Sequence, residues 1–151
     1  MLLGQYEANL TNKDRLAFPK KFRQKLGEKV ILARWYEGCL VVVGRDKWGE
    51  LLLKLTGKAE YVTQPVRDTD RFILGSAYEI DLDKQGRFVV PRILKDYASL
   101  SGEVTFLGLG DRVEIWNKRN WGIKEAQIQK QAENLIEKIA HEDKVNRKSN
   151  T

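Results

Sequence analysis

Between Thr11 and Arg23 the chain reads TNKDRLAFPKKFR, and between Asp83 and Lys95 it reads DKQGRFVVPRILK. The second phrase is a variant of the first. One constant offset relates Leu10 to Leu82, Arg15 to Arg87 and Pro19 to Pro91, and the same offset matches Phe22 with Leu94. Upstream, Leu3-Gly4 matches Leu74-Gly75 with the offset shortened by one; downstream, Trp48 matches Trp121 with it lengthened by one. So small a drift puts insertions in loops, and the chain uses one supersecondary unit twice. The copies span residues 5–48 and 77–121, with a connector at 49–76 and a tail at 122–151.

Both copies present the same order of local signals. In the second, AYEIDL alternates as a strand does, KQG supplies a turn with Gly86 free to take positive φ, and RFVV returns as a β-branched strand. This predicts a β-hairpin within the copy. Pro91 suits a first helical position, and RILKDYASL carries Ile93, Leu94, Tyr97 and Leu100 at helical spacing. Two more strands, EVTFLGL and RVEIW, meet at a Gly110-Asp111 turn before a further helix. The first copy repeats this as QYEANL, RLAF, PKKFRQKL, KVILAR, CLVVV and RDKWGELLLKL. Each copy is therefore ββαββα. Four short strands and a short helix bury little alone, so the two copies are expected to interlock around one β-core.

Composition narrows the class. The chain has 151 residues, with 27 Lys+Arg against 21 Asp+Glu, a formal net charge of +6 and a pI near 9.4. That balance favours an anionic partner, nucleic acid or an anionic membrane surface. The single cysteine, Cys39, excludes an intramolecular disulfide, and one distant His141 leaves no metal-ligand spacing, so no cofactor is expected. No apolar run approaches the length of a membrane span and the first residues lack the layout of a signal peptide, which predicts a cytoplasmic protein. Nothing supports an enzyme: no Ser/His/Asp, Cys/His or paired-carboxylate arrangement has supporting context.

The phrases LDKQGRFVVP and LGLGDRVEIWNKRNW, with LLGQYEANLTNKDRLAFPKKFR before them, resemble the two repeats of the MraZ family. The resemblance covers about Met1 to Trp121 and includes RDTDRFILGSA, which is similar to the family's linking helix. It implies an α+β fold: two SpoVT/AbrB-like swapped-hairpin β-modules in one chain, forming a pseudo-two-fold β-core with short helices and a C-terminal helix. It also implies a transcriptional regulator that binds short G-rich direct repeats upstream of its own cell-division and cell-wall genes. The partners implied are double-stranded DNA and a ring-shaped homo-oligomer of the chain itself, in the cytoplasm and on the nucleoid.

The family's signature is an Asp followed after three residues by an Arg, once per repeat. The second copy keeps it as Asp83 and Arg87; the first has Thr11 at the Asp position and Asp14 at the usual turn Gly. If the Asp orients the Arg, Arg15 needs another holder, and Asp14 is the candidate. Arg presents a rigid fork that can bond guanine O6 and N7 together, while Lys fixes register through phosphates. The expected DNA-binding residues are Lys13, Arg15, Lys20, Lys21, Arg23, Lys84, Arg87 and Arg92, with Asp83, Thr11 and Asp14 orienting the motif. Residues 11–25 carry six cations against Asp14 alone, and residues 83–97 four cations against two acids, so the first copy should dominate electrostatic attraction.

The rival reading is an AbrB-type antitoxin or other protein-interaction module, disfavoured because both modules lie in one chain. A basic hairpin is also a common way to block sheet edges, and only its duplication and the resemblance favour DNA. In the tail, Ile128, Ala132, Leu135 and Ile139 form one helical stripe expected to pack within the chain, and disorder is expected from His141 onward.

Overall fold

The computed structural model describes residues 1–57 and 61–149. The first copy supplies β1 (Leu2–Asn9), β2 (Arg15–Ala17), α1 (Lys20–Leu26), β3 (Lys29–Arg34), β4 (Leu40–Gly44) and α2 (Trp48–Thr56). After α3 (Gln64–Ile73), the second supplies β5 (Tyr78–Asp81), β6 (Arg87–Val89), α4 (Arg92–Tyr97), β7 (Glu103–Gly110), β8 (Val113–Asn117) and α5 (Lys118–Ser149). The ββαββα order read from the sequence holds in both copies. The connector is helical on either side of residues 58–60, which lie outside the described residues.

The hairpins read from local signals do not close within each copy; their strands are exchanged between copies, as the swapped-hairpin fold implied by the resemblance requires. A six-stranded antiparallel sheet runs β1-β7-β8-β4-β3-β5, and a separate two-stranded ribbon pairs β2 with β6. Thus β1 of the first copy lies on β7 of the second, β5 of the second lies on β3 of the first, and β4 and β8 join the halves at the centre. The β2–β6 register matches Arg15 with Val89, Leu16 with Phe88 and Ala17 with Arg87. Each turn keeps one closing bond of a local hairpin, Thr11 N–H to the Arg15 carbonyl (3.0 Å) and Asp83 N–H to the Arg87 carbonyl (3.2 Å). Beyond that rung the partner strand comes from the other repeat. Exchange lets three-residue strands that would be marginal in separate hairpins share one core.

That core lies against one face of the sheet. Leu16, Phe18, Phe88 and Val90 of the ribbon, Phe22 and Leu26 of α1, and Leu94 and Ala98 with Leu100 bury against Val30, Leu32, Val42, Val104, Phe106 and Ile115. Phe18 stacks on Phe88 at 5.1 Å and Tyr6 meets Phe22 edge-on at 5.0 Å. Phe22 and Leu94 are the matched anchors of α1 and α4, whereas Ile93, expected on the same apolar face, is 59% exposed. Both helices begin one residue later than the sequence predicts: Pro19 and Pro91 are caps with extended ψ, and their carbonyls accept the first helical bonds. At the centre of the sheet's other face Ile31, Val41, Val43, Leu107 and Trp116 are buried too, and Glu114 there accepts from Trp116 Nε1 (3.0 Å) and Arg112 Nε (3.5 Å), so both oxygens of the buried carboxylate are paired. Cys39 is buried, as expected, and donates its thiol to the Tyr36 carbonyl.

Met1–Lys118 forms one compact unit and the residues from Arg119 onward a second. The second unit lies in the α5 helix, which runs through Ser149. Strong helix formers and an i,i+4 pair of Asp143 with Arg147 (3.1 Å) carry it past the last apolar turn. Along its apolar stripe Ile128 and Leu135 are half-buried, and Ala132 and Ile139 are exposed. Residues 150–151 lie outside the described residues. Among the described residues, no helix is long and apolar enough to cross a membrane and no cluster could hold a metal ion.

Candidate nucleic-acid interface

The β2–β6 ribbon decides which side chains face outward. Strand alternation sends Leu16 and Phe88 into the core and leaves Arg15, Ala17, Arg87 and Val89 on the opposite, exposed face. Arg15 and Arg87 are diagonal neighbours across the ladder, a relation that puts residues about 7–8 Å apart. The sequence placed these two arginines in equivalent sites of separate hairpins; the structure puts them on one surface. Lys13 and Lys84 project from the two turns, and Lys20, Lys21 and Arg92 from the first turns of α1 and α4, all exposed.

In the second copy the turn is held by Asp83. Its Oδ1 accepts from the backbone N–H groups of Gln85 (2.8 Å) and Arg87 (2.9 Å), and its Oδ2 accepts from Arg87 Nε (2.7 Å). These bonds, the Arg87 backbone N–H foremost, hold the carboxyl down to about 2. The Asp therefore closes the turn and holds the guanidinium through Nε, with the Nη groups outside the pair.

Thr11 performs half of that work in the first copy. Its Oγ1 accepts from the N–H groups of Lys13 (3.3 Å) and Arg15 (3.1 Å), which preserves the turn, but it offers nothing to the Arg15 side chain. Asp14 does not hold Arg15. It takes the left-handed conformation of the missing glycine (φ 60°, against 76° at Gly86), and its carboxylate pairs with Lys95 Nζ at 2.8 Å. An Asp tolerates that φ because its short polar side chain can bond locally. The Arg15 guanidinium thus has no carboxylate partner among the described residues and is the less constrained of the two.

Arg23 reaches across to the other repeat. Its Nη1 donates to the Lys84 carbonyl (2.9 Å), its Nε is buried without a hydrogen-bond partner, and its stem lies against Gly86. Sequence reasoning missed Lys95 and Gly86 as parts of the site. The signal was present in the repeat register, which matches Arg23 with Lys95 and Asp14 with Gly86, but the contact between them crosses repeats.

Two segments of the chain, residues 1–72 and 73–146, match the same family model, described as "MraZ protein, putative antitoxin-like". The chain is 40% identical over 121 residues to the transcriptional regulator MraZ of Oenococcus oeni, covering 80% of this chain and 84% of that one. It is 36% identical over 140 residues to the transcriptional regulator MraZ of Acetivibrio thermocellus, covering 93% and 97%. Both copies of the duplicated phrase fall within the matched segments, and on the family match and these identities the chain belongs to the MraZ family.

Proposed function

We propose that this transcriptional regulator binds double-stranded DNA by laying the β2–β6 ribbon in the major groove, with Arg15 and Arg87 reading guanine edges. One observation carries the reading: two arginines from equivalent repeat positions share the exposed face of a two-stranded ribbon. A ribbon of that width fits the major groove, and a spacing of about 7–8 Å between the arginines is about two base-pair steps. Lys13, Lys20, Lys21, Lys84 and Arg92 surround the face and supply phosphate contacts. The first turn is the more basic and drives encounter; the second, with Arg87 held by Asp83, is the better organised for reading.

The target proposed is a set of short G-rich direct repeats upstream of the chain's own cell-division and cell-wall gene cluster, bound by a ring-shaped homo-oligomer in the cytoplasm and on the nucleoid. The two sides of one chain differ, TNKDR against DKQGR, so head-to-tail contact can close into a ring and present ribbons at regular intervals. Direct repeats suit that geometry, since each later ribbon meets its site at an effective concentration of roughly millimolar. No catalytic step is proposed.

Affinity for promoter duplexes carrying one to four direct repeats tests this. Arg15→Ala and Arg87→Ala should each cost about 1–3 kcal/mol on the specific duplex, whereas Lys20→Ala should weaken all duplexes alike. Undiminished binding by both Arg variants removes the ribbon from the interface, and equal affinity for one and four repeats removes the ring. The family description's word "antitoxin-like" supports a second reading, capture of a partner protein, for which α5 leaves Ile123, Ile136 and Ile139 exposed. A chain that binds no promoter DNA but co-purifies with one protein in defined stoichiometry would favour it.

A further inference from the structure

Arg23 and Lys95 occupy matching repeat positions in α1 and α4, and each reaches the turn of the other repeat. Arg23 donates from Nη1 to the Lys84 carbonyl, and its stem covers Gly86 so closely that an added Cβ there would overlap its Cδ and lie 2.7 Å from its Nε. Lys95 places Nζ 2.8 Å from Asp14 Oδ1, with both side chains only about one-third exposed (32% and 36%). Beside each contact runs a matched backbone bond: Phe18 N–H to the Gly86 carbonyl (2.9 Å) and Val90 N–H to the Asp14 carbonyl (2.8 Å). The two turns are therefore fastened in the same way by different chemistry. Where the left-handed residue is glycine, an arginine lies on it and bonds a nearby carbonyl of the same turn; where it is aspartate, a lysine pairs with its carboxylate.

We infer that Arg23 and Lys95 form a reciprocal brace between the repeats, and that they are positioning residues for the two recognition turns rather than phosphate contacts. The inference deepens the DNA reading above and rests on it for its functional consequence. Arg23 has its Nε buried and its Nη1 bonded to a carbonyl, and the Lys95 ammonium is paired with a carboxylate, so each side chain is held against the turn of the opposite repeat. Asp83 fixes Arg87 within its own turn, but that turn can still pivot as a unit, and the brace opposes the pivot. Because each brace comes from the opposite repeat, the effects must cross: a change in α1 disturbs the turn around Gly86, and a change in α4 disturbs the turn around Asp14.

The test has one arm without DNA and one with it. In the first, amide and arginine Nε–H NMR resonances are compared among the full chain, Arg23→Ala and Lys95→Ala. Arg23→Ala should shift Lys84, Gly86 and Arg87 and spare Asp14 and Arg15, and Lys95→Ala should do the reverse. In the second arm, affinity is measured over a range of salt on the duplex immediately upstream of the chain's own gene. Each variant should lose about fivefold or more, the low end of what one bidentate base contact is worth, with the log-log salt slope unchanged. A phosphate contact would instead flatten the slope by about 0.9. The double variant Asp14→Gly/Lys95→Arg writes the second turn's chemistry into the first and should recover affinity to within about twofold of the parent if the brace is correct. Shifts confined to each variant's own repeat, a flattened slope, or a double variant no better than Lys95→Ala would overturn the brace. If the parent binds no duplex specifically, the DNA reading fails, and the resonance pattern still decides whether the brace exists.

Discussion

Replacing Gly86 by alanine tests how the second turn is built. Gly86 is buried with φ 76°, and its missing Cβ is where the Arg23 stem lies. Gly102 is the natural control, with φ 64° and nothing within 4 Å of an added Cβ. At both positions the left-handed conformation costs an alanine roughly 1–2 kcal/mol, partly offset by about 0.4–1 kcal/mol from a less flexible unfolded chain. Gly102→Ala should therefore destabilise by about 1 kcal/mol or less. Gly86→Ala adds the expulsion of Arg23 and loss of its bond to the Lys84 carbonyl, a charged hydrogen bond worth about 1.5 kcal/mol at the low end appropriate to a partly exposed pair. Its total should reach about 1.5–2.5 kcal/mol. In an Arg23→Ala background the extra cost should vanish and Gly86→Ala should match Gly102→Ala, a coupling of about 1–1.5 kcal/mol. Urea unfolding at one fixed protein concentration measures all of these, because assembly would otherwise shift the midpoint by mass action. Equal costs at Gly86 and Gly102, or a Gly86→Ala cost unchanged by removing Arg23, would refute the packing argument.

Two further outcomes follow from the titrating groups. The Asp83 carboxyl is held to about 2, below its ordinary 3.8, so the stabilisation it gives the turn is complete above the ordinary value and is lost as pH falls from near 4 through about 2; a carboxyl-carbon NMR titration should find that low midpoint, binding between about pH 5 and 8 should not vary through this residue, and a midpoint near 3.8 would remove the Asp83–Arg87 contact. Burial, reinforced by nearby Glu114, pushes the Cys39 thiol far above the ordinary range, so a disulfide reagent at about pH 8 should modify it only at the rate of unfolding, and prompt labelling of the folded chain would show that the strand start is open.

Much of this protein was legible in the order of its residues. A phrase that recurs in constant register marks a duplicated unit without any structure, because similar local sequences have similar local preferences: alternation for the strands, Gly86 for a left-handed turn, Pro19 and Pro91 for helix starts. The equivalence of Arg15 and Arg87 follows from the same register. The loss of an acidic partner at Thr11 was visible too, although not that its hydroxyl would still close the turn.

What local propensity could not contain was the choice of partner, which only the family resemblance implied. Period-two alternation says that Leu16 and Phe88 point one way and Arg15 and Arg87 the other, but a strand's edge bonds equally well to the nearest strand in sequence or to one in the distant repeat. Only burial of the shared core decided for exchange, since β2 on β6 closes one continuous interior around Phe18, Phe22, Phe88 and Leu94. The same exchange turned Arg23 onto Gly86 and gave Asp14 to Lys95 rather than to Arg15. It also set the two arginines on a single ribbon. Local chemistry wrote each half of the site, and long-range packing, whose energy depends on which surfaces leave water together, decided which halves meet.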